Sequence, residues 1–383
     1  MLTPEGAEAG LRALPGGARV LDAVSFTPDA WVVGGAVRDA LLGRGPGELD
    51  VVLGSALPPF AAALGSTRTE HHERFGTGTL VTPEGLRVDL ARARRERYAH
   101  PGALPVVEPA DAAADLARRD VSVNAIALRP GEPLRAVPGA LEDLAAGVLR
   151  VLHARSFEDD PTRLWRVARY GERLGFSPDA ATAALAAAAH PETASGPRHG
   201  NELRRTLAEA EPVATLAVTQ ALAPQLFPEG FDPRDAADAL ALLPEGEGRP
   251  GLVVLARACA AVDARELVAW LDALGFTAAE RDVVAAGSRA VTLHPLRTAT
   301  DAAAIARAAR GAPMEVVALA GGDNARRWVE ELRHVRLAID GADLLGAGVP
   351  PGPELGARLQ RALDARLNGE AWSRDEQLGA ALG

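Results

Sequence analysis

The chain has 383 residues and a formal net charge of −10, too long for one ordinary compact core, so two to four domains are expected. The acidic balance excludes a broadly basic nucleic-acid coat but leaves room for a local basic channel, and every basic side chain other than histidine is arginine. One cysteine, Cys259, excludes a disulfide framework and a thiolate zinc cluster.

In chain order, "AWVVGG" is a short apolar run stopped by glycine, a predicted strand. "AVRDALLG" carries Val37, Leu41 and Leu42 at helical spacing, with Gly43 as C-terminal cap. "LDVVLG" is strand-like and "PPFAAALG" helical. The adjacent His71 and His72 of "EHHERFG" point apart on a strand, a poor metal pair, and a surface turn is expected there. "GTGTLVTP" and "GLRVDLARA" predict two strands joined by the turn "PEG". The fold class expected for residues 1–150 is α+β with a small mixed sheet. Beyond about residue 150, Ala-, Leu- and Arg-rich amphipathic stretches predict an all-helical remainder, broken at "FSPDA", "SGPRHG", "FPEGFDP" and "LLPEGEGRPG". Cys259, in "LVVLARACAAV", is expected to be a buried small residue. No apolar run approaches the ~18–20 residues of a membrane span. The N-terminus lacks a basic-then-apolar signal pattern, so a soluble, cytoplasmic protein is expected.

Glu48 and Asp50 flank Leu49, and residues two apart on a strand share a face. Two neighbouring acids repel, and a divalent cation removes that cost. Hard Mg²⁺ suits them, since it takes carboxylate oxygens and keeps waters and substrate phosphates as its remaining ligands. Asp89, in "LRVDLAR", lies on a strand that could neighbour the first. Three carboxylates from two strands suit two-metal phosphoryl or nucleotidyl transfer. On the Glu-x-Asp spacing alone, a solvent-facing acid pair at a strand start is the favoured reading. Ahead of the acids, Gly34 and Gly35 follow a strand and open a helix, where backbone N–H groups could approach a phosphate. Arg38 could pair with phosphate or with an internal acid such as Asp39.

"GGAVRDALLGRGPGELDVV" resembles the first motif of class II tRNA nucleotidyltransferases and bacterial poly(A) polymerases. "DLARRDVSVNAIAL" resembles their second motif and "RSFEDDPTRLWRVARYGERLGF" their fourth. "RHGNELRRTL" is similar to the fifth, with Arg198 and Glu202 on one helical turn, and "DGADLLGAGVPPGPELGARLQRALDARLNGE" to the C-terminal tail. The motifs keep the family's order and span nearly the whole chain.

The resemblance implies a head (1–150, catalytic), a neck (151–210, base recognition), a helical body (211–320) and a helical tail (321–383, tRNA binding). It implies Glu48, Asp50 and Asp89 as catalytic acids, with Glu48 and Asp50 holding Mg²⁺ in a two-ion site. It implies nucleotide binding by Gly34, Gly35, Arg38, Arg118, Asp120, Asn124, Asp160, Arg163 and Arg166. Arg118, Arg119, Asp120 and Asn124 fall where the family meets ribose and triphosphate, and one of the two arginines could instead be a structural ion-pair partner. Asp160 and Arg163 fall where the family reads the base, one accepting and one donating hydrogen bonds. Without the family, "DDPTRLWRVAR" is a helix start with acids in its first turn and Arg163, Arg166 and Arg169 in a solvated stripe. The implied partners are tRNA and ATP and/or CTP.

The sequence departs from the pattern at Glu48, where Asp is usual, and at Val121-Ser122-Val123, which lacks the family's aromatic. "AVPGA" near Ala136 lacks a turn acid. "ERYAHPGALPVVEPADAAADL" resembles the flexible loop of members that add the terminal adenosine, and leans toward the branch containing dedicated A-adding enzymes. Alternatives are a poly(A) polymerase and a catalytically degenerate RNA-binding relative. Arg326, Arg327, Arg333, Arg336, Arg358 and Arg361 are candidate RNA contacts, each also readable as part of a solvated helix face.

Overall fold

The computed structural model describes residues 2–54, 57–66, 68–72 and 76–383. They divide into two compact units, Met1–Glu202 with Val218–Leu226, and Leu203–Ala217 with Phe227–Gly383.

The first unit opens with helices α1 (Pro4–Arg12) and α2 (Gly17–Phe26). β1 (Ala30–Val33) follows, then α3 (Gly35–Leu41), β2 (Glu48–Leu53) and α4 (Leu57–Ala63). β3 (Arg68–His72), β4 (Thr77–Val81) and β5 (Arg87–Arg92) complete one side of the sheet. A hairpin of β6 (Arg94–Arg97) and β7 (Val106–Pro109) leads to α5 (Ala112–Ala117). β8 (Ile126–Leu128) and β9 (Arg135–Ala136) end a seven-stranded mixed sheet of order β3-β4-β5-β2-β1-β8-β9.

β1 is apolar at every position and buried at every position, as a central strand covered on both faces should be. Trp31, Val33 and Val52 pack with Ala112 and Leu116 of α5 on one face of the sheet. β2 alternates at its start, with Glu48 exposed and Leu49 fully buried. That alternation puts the acids of β2 on the face opposite Leu49. β2 and β5 run parallel, with Glu48 opposite Arg87 and Asp50 opposite Asp89, so the third acid does neighbour the first two.

The α+β class holds, and the expected strand–helix–strand–helix–hairpin order is present within a longer succession. His71 and His72 lie on β3, paired with Gly78 and Thr77 of β4, and not in a surface turn. Ladder pairing to β4 outweighs the polar composition of the segment.

After α6 (Ala140–Ala146) the chain is almost entirely helical. One short parallel pair remains, β10 (Val148–Leu149) with β11 (Ser177–Pro178). α7 (Ser156–Asp159) and α8 (Arg163–Leu174) are separate helices. Asp160 between them is extended, so the acids belong to α7 and the first turn of α8 has none. The proline at 161 explains the break, since it disfavours helical geometry in the residue before it. α9 (Ala180–Ala187), α10 (Gly196–Leu207) and α11 (Pro212–Leu222) follow. "SGPRHG" is therefore the first turn of α10 and not a break, with Pro197 where its missing N–H costs nothing.

The second unit continues with α12 (Ala237–Leu240), α13 (Pro250–Ala258), α14 (Ala264–Ala273) and α15 (Ala278–Gly287). α16 (Ala290–Thr298), α17 (Ala302–Ala309), α18 (Met314–Ala320) and α19 (Gly322–Glu330) come next. α20 (Gly341–Gly346), α21 (Pro353–Leu367) and α22 (Arg374–Leu382) end it. Asp263, Thr277, Asp301, Asp340 and Ser373 cap helix starts with their side chains. Cys259 is fully buried, as expected. Among the described residues no helix is long and apolar enough to cross a membrane.

Candidate active site

A cavity of about 770 Å³ within the first unit is lined by Glu48, Asp50 and Asp89 from the sheet. Gly35, Arg38, Arg118, Arg119, Asp120 and Asn124 line it too, with Asp160, Arg163, Arg166 and Tyr170 from the segment that follows. All but three of the expected site residues meet here; Gly34, Arg198 and Glu202 are not part of its lining.

Asp50 and Asp89, opposite each other in a parallel pair, project from the same side of the sheet. Asp89 is engaged: Thr79 Oγ1 donates to its Oδ1 at 2.7 Å, and Arg87 Nη2 to its Oδ2 at 3.1 Å. Arg87 Nε also lies 3.3 Å from Glu48 Oε2. Burial raises the Asp50 pKa to about 6, Arg119 opposes the rise, and the nearby charges of Glu48 and Asp89 add to it. Among the described residues no group of three acidic, His or Cys side chains is arranged to enclose one metal ion. The donor chemistry still fits a hard divalent ion, which needs only one or two carboxylates when water and phosphate complete its shell.

Gly34 adopts φ +77°, a left-handed conformation that glycine tolerates. A Cβ there would sit 2.5 Å from Arg119 Nη1 and 3.7 Å from Asp50 Oδ2. The glycine pair thus lets Arg119 cross the backbone toward Asp50. Arg119 Nη2 lies 3.2 Å from Asp115 Oδ2, while Arg118 pairs with Asp115 at 2.8 Å and Glu96 at 3.0 Å. Arg118 is the more fully committed structural partner of the two. Asp115 was missed in the sequence, although its place three and four residues before the arginines is a helical ion-pair signal.

Arg38 is buried. It donates to Asp39 at 2.8 Å and to Asn124 Oδ1, and lies over the Tyr170 ring at 5.6 Å. The internal ion pair with Asp39, one of the two roles weighed for it, is formed. Asn124 Nδ2 donates to Asp120 Oδ1 at 3.1 Å, and the Tyr170 hydroxyl donates to Asp120 Oδ2 at 3.0 Å. Burial would raise the Asp120 pKa, but the charge of Arg166 and the Asn124 hydrogen bond outweigh it and hold it below the usual range.

Asp160 Oδ1 accepts from Arg198 at 2.8 Å, the Thr162 amide at 3.0 Å and the Thr162 hydroxyl at 2.6 Å, and Oδ2 accepts from Arg166 at 2.9 Å. Burial would raise its pKa as well; Arg166, Thr162 and Arg198 prevail and lower it. Arg163 is buried and faces elsewhere, donating to Ser156 Oγ at 2.8 Å and to the Arg118 carbonyl at 2.9 Å. Asp160 therefore owes its charged neighbours chiefly to Arg166 and Arg198. The solvated stripe is not present: Arg163 and Arg169 are buried, and Arg169 pairs with the buried Glu202. Arg198 also donates to the Gly102 carbonyl at 2.7 Å, which ties the "PGALP" segment down.

Of the candidate RNA arginines, four already face acids: Arg326 with Glu330, Arg327 with Glu331, Arg333 with Glu247 and Arg358 with Glu354. Their net field is weaker than the sequence suggests.

A mixed sheet carrying paired acids beside an arginine-lined cavity defines a nucleotidyltransferase head. The family model described as the poly A polymerase head domain matches residues 30–151. The CC-adding tRNA nucleotidyltransferase of Deinococcus radiodurans is 33% identical over 98% of this chain and 96% of its own length. The A-adding tRNA nucleotidyltransferase of Geobacter sulfurreducens is 32% identical over 92% of this chain, which spans only 44% of that protein's length. A solved CCA-adding enzyme structure, apo form II, matches with TM-score 0.79 and 25% identity, covering 100% of this chain and 96% of the other. The chain belongs to the tRNA nucleotidyltransferase family.

Proposed function

We propose that this protein transfers AMP and/or CMP from ATP or CTP to the 3′ end of tRNA without a nucleic-acid template, in synthesis or repair of the CCA end, in the cytoplasm. The observation that carries this reading is the single cavity in which Glu48, Asp50 and Asp89 meet Arg119, Asp120, Asp160 and Arg166. Residues 1–150 serve as catalytic head, 151–210 as base-reading neck, and 211–320 and 321–383 as helical body and tRNA-binding tail.

Glu48 and Asp50 would hold Mg²⁺ in a two-ion site. When bound, the metal supplies activation of the attacking hydroxyl and neutralisation of triphosphate charge. Asp50, protonated near pH 6, must be ionised to serve. Arg119 offers donors to phosphate oxygens, while Arg118, spent on Asp115 and Glu96, keeps Asp115 in place beside it. Asp120 and Asn124 present the polar atoms suited to ribose hydroxyls.

Base choice follows from donor and acceptor order. Cytosine and adenine both carry an exocyclic amine beside a ring-nitrogen acceptor, whereas uracil and guanine present the reverse. A carboxylate acceptor beside an arginine donor matches the first two. Asp160 supplies the acceptor, and Arg166 and Arg198 stand beside it as donors. Extension of tRNA primers lacking CCA, CA or A, each given single labelled nucleotides, tests the reading. Expected is addition of C and/or A that stops at the completed end. Unlimited A tails on unrelated RNA would instead make this a poly(A) polymerase, and no incorporation with Mg²⁺ present would leave a binding protein.

A further inference from the structure

We propose that Arg87 sets the divalent-cation affinity of the site, as a positioning residue whose guanidinium competes with the metal for Glu48 while it is anchored on Asp89. The inference depends on reading Glu48 and Asp50 as the metal-holding pair.

The register makes the competition unavoidable. Arg87 is directly opposite Glu48 in the parallel β2–β5 pair and two residues before Asp89 on the same strand. Its side chain therefore projects from the face that carries all the acids. The guanidinium spans both strands, with Nε 3.3 Å from Glu48 Oε2 and Nη2 3.1 Å from Asp89 Oδ2. An ordinary surface pair engages one acid; this one engages two that converge on one site.

The cation can leave without disorganising the site. The Arg87 side chain is 55% exposed, so swinging it into water costs little. Arg87 Nε also donates to Asp89 Oδ1 at 3.3 Å, but Thr79 Oγ1 holds that oxygen at 2.7 Å, so the carboxylate keeps a tether when Arg87 departs. A dication on Glu48 and Asp50 would lie within a few ångströms of the guanidinium, where like charges repel. Metal and arginine thus exchange on Glu48, the one carboxylate both engage, and the residue at position 87 tunes the balance.

The test is Mn²⁺ binding to the full-length protein without nucleotide or tRNA, followed by electron paramagnetic resonance of the free ion. Arg87→Gln should bind Mn²⁺ about five- to tenfold more tightly. Arg87→Lys should return the affinity to within about twofold of wild type, because the charge is restored. Asp50→Asn should weaken binding at least about tenfold. Unchanged or weaker binding by Arg87→Gln, with Asp50→Asn impaired, overturns the competition while leaving the metal site standing. If Asp50→Asn binds as wild type does, the metal-site reading fails and takes this inference with it. Circular dichroism of each variant confirms that it is folded.

Discussion

Asp50 on β2 and Asp89 on β5 are register partners across a parallel pair, yet their carboxylates live in different environments. Asp89 is tethered by Thr79 and Arg87, while burial raises Asp50 to about 6. Asp50 is the acid whose charge the fold resists most, and so the one with most to gain from a cation. Asp50→Asn should reduce nucleotide incorporation by at least about a thousandfold. In chelator the variant should be as stable as wild type or more so, by on the order of 1–3 kcal/mol at neutral pH. The sign follows from linkage. A carboxyl whose folded pKa lies above its unfolded value destabilises the fold above the folded pKa, and that loss fades as pH falls toward the unfolded value. Near wild-type incorporation by this variant would remove the acids from the mechanism.

Glu48→Asp should be tolerated and can raise activity. The Glu48 side chain is half-exposed and touches only Arg87 among the described charged groups, so shortening it leaves no buried gap. Stability should change by less than about 0.5 kcal/mol. A hundredfold loss in kcat/KM, measured with saturating Mg²⁺, would show that the geometry is built around the longer acid.

Gly34→Ala should cost roughly 1–3 kcal/mol in urea unfolding, because a side chain at φ +77° is strained and its Cβ would strike Arg119 Nη1. Activity should fall further than stability accounts for, since Arg119 would be pushed from its place near Asp50. Gly43, also left-handed but with only Leu2 nearby, is the control: Gly43→Ala should lose stability and keep kcat.

The strand–turn–helix–strand at the head was legible because its signals are local. An apolar run stops at a glycine pair, and a glycine ends the next helix, as Gly34 and Gly43 show. The placement of Asp89 beside Asp50 was legible only as a possibility, because parallel pairing joins residues almost forty apart. The same reason hid Arg87, whose meaning appears only once Glu48 is known to lie opposite it. Arg163, Arg166 and Arg169 have the spacing of a solvated stripe, and nothing in that spacing tells that Ser156, Asp160 and Glu202 wait to pair with them. Those partners come from three other segments, α7, the turn between α7 and α8, and α10. Tertiary contact decided their burial.

His199 should make stability pH-dependent just below neutrality. Trp165 Nε1 donates to its Nδ1 at 3.0 Å, and Nε2 faces the Pro191 carbonyl at 2.9 Å, so the ring is held as the neutral tautomer. Burial lowers its pKa below the ordinary value, more than the Pro191 contact raises it. A histidine held down in the fold takes up a proton on unfolding. Its contribution is therefore complete above about pH 6.5 and is lost as pH falls through the folded pKa. Thermal melts from pH 7.5 to 5 should show a declining Tm in wild type and a shallower decline in His199→Gln. Equal slopes would mean that another group carries the dependence.

Asp160→Asn tests how the base is read. The change keeps the shape of the side chain and its contacts with Thr162, but removes the charge that Arg166 and Arg198 share. Two guanidinium groups are then left near a neutral amide, so a loss of roughly 2–4 kcal/mol in folding stability is expected. The amide can also present a donor where the carboxylate could only accept. Discrimination should therefore collapse selectively: kcat/KM for CTP and ATP should fall about one to two decades, the value of one charge-assisted hydrogen bond, while UTP and GTP fall less or rise. Arg163→Ala makes the contrast. Its guanidinium is spent on Ser156 and the Arg118 carbonyl, so it should lower stability and all four nucleotides together. Measured on one matched tRNA primer at a temperature where both variants are folded, an unchanged ratio among the four nucleotides in Asp160→Asn would assign base choice to other residues of the cavity. A changed ratio in Arg163→Ala as well would make Asp160 and Arg163 a reading pair.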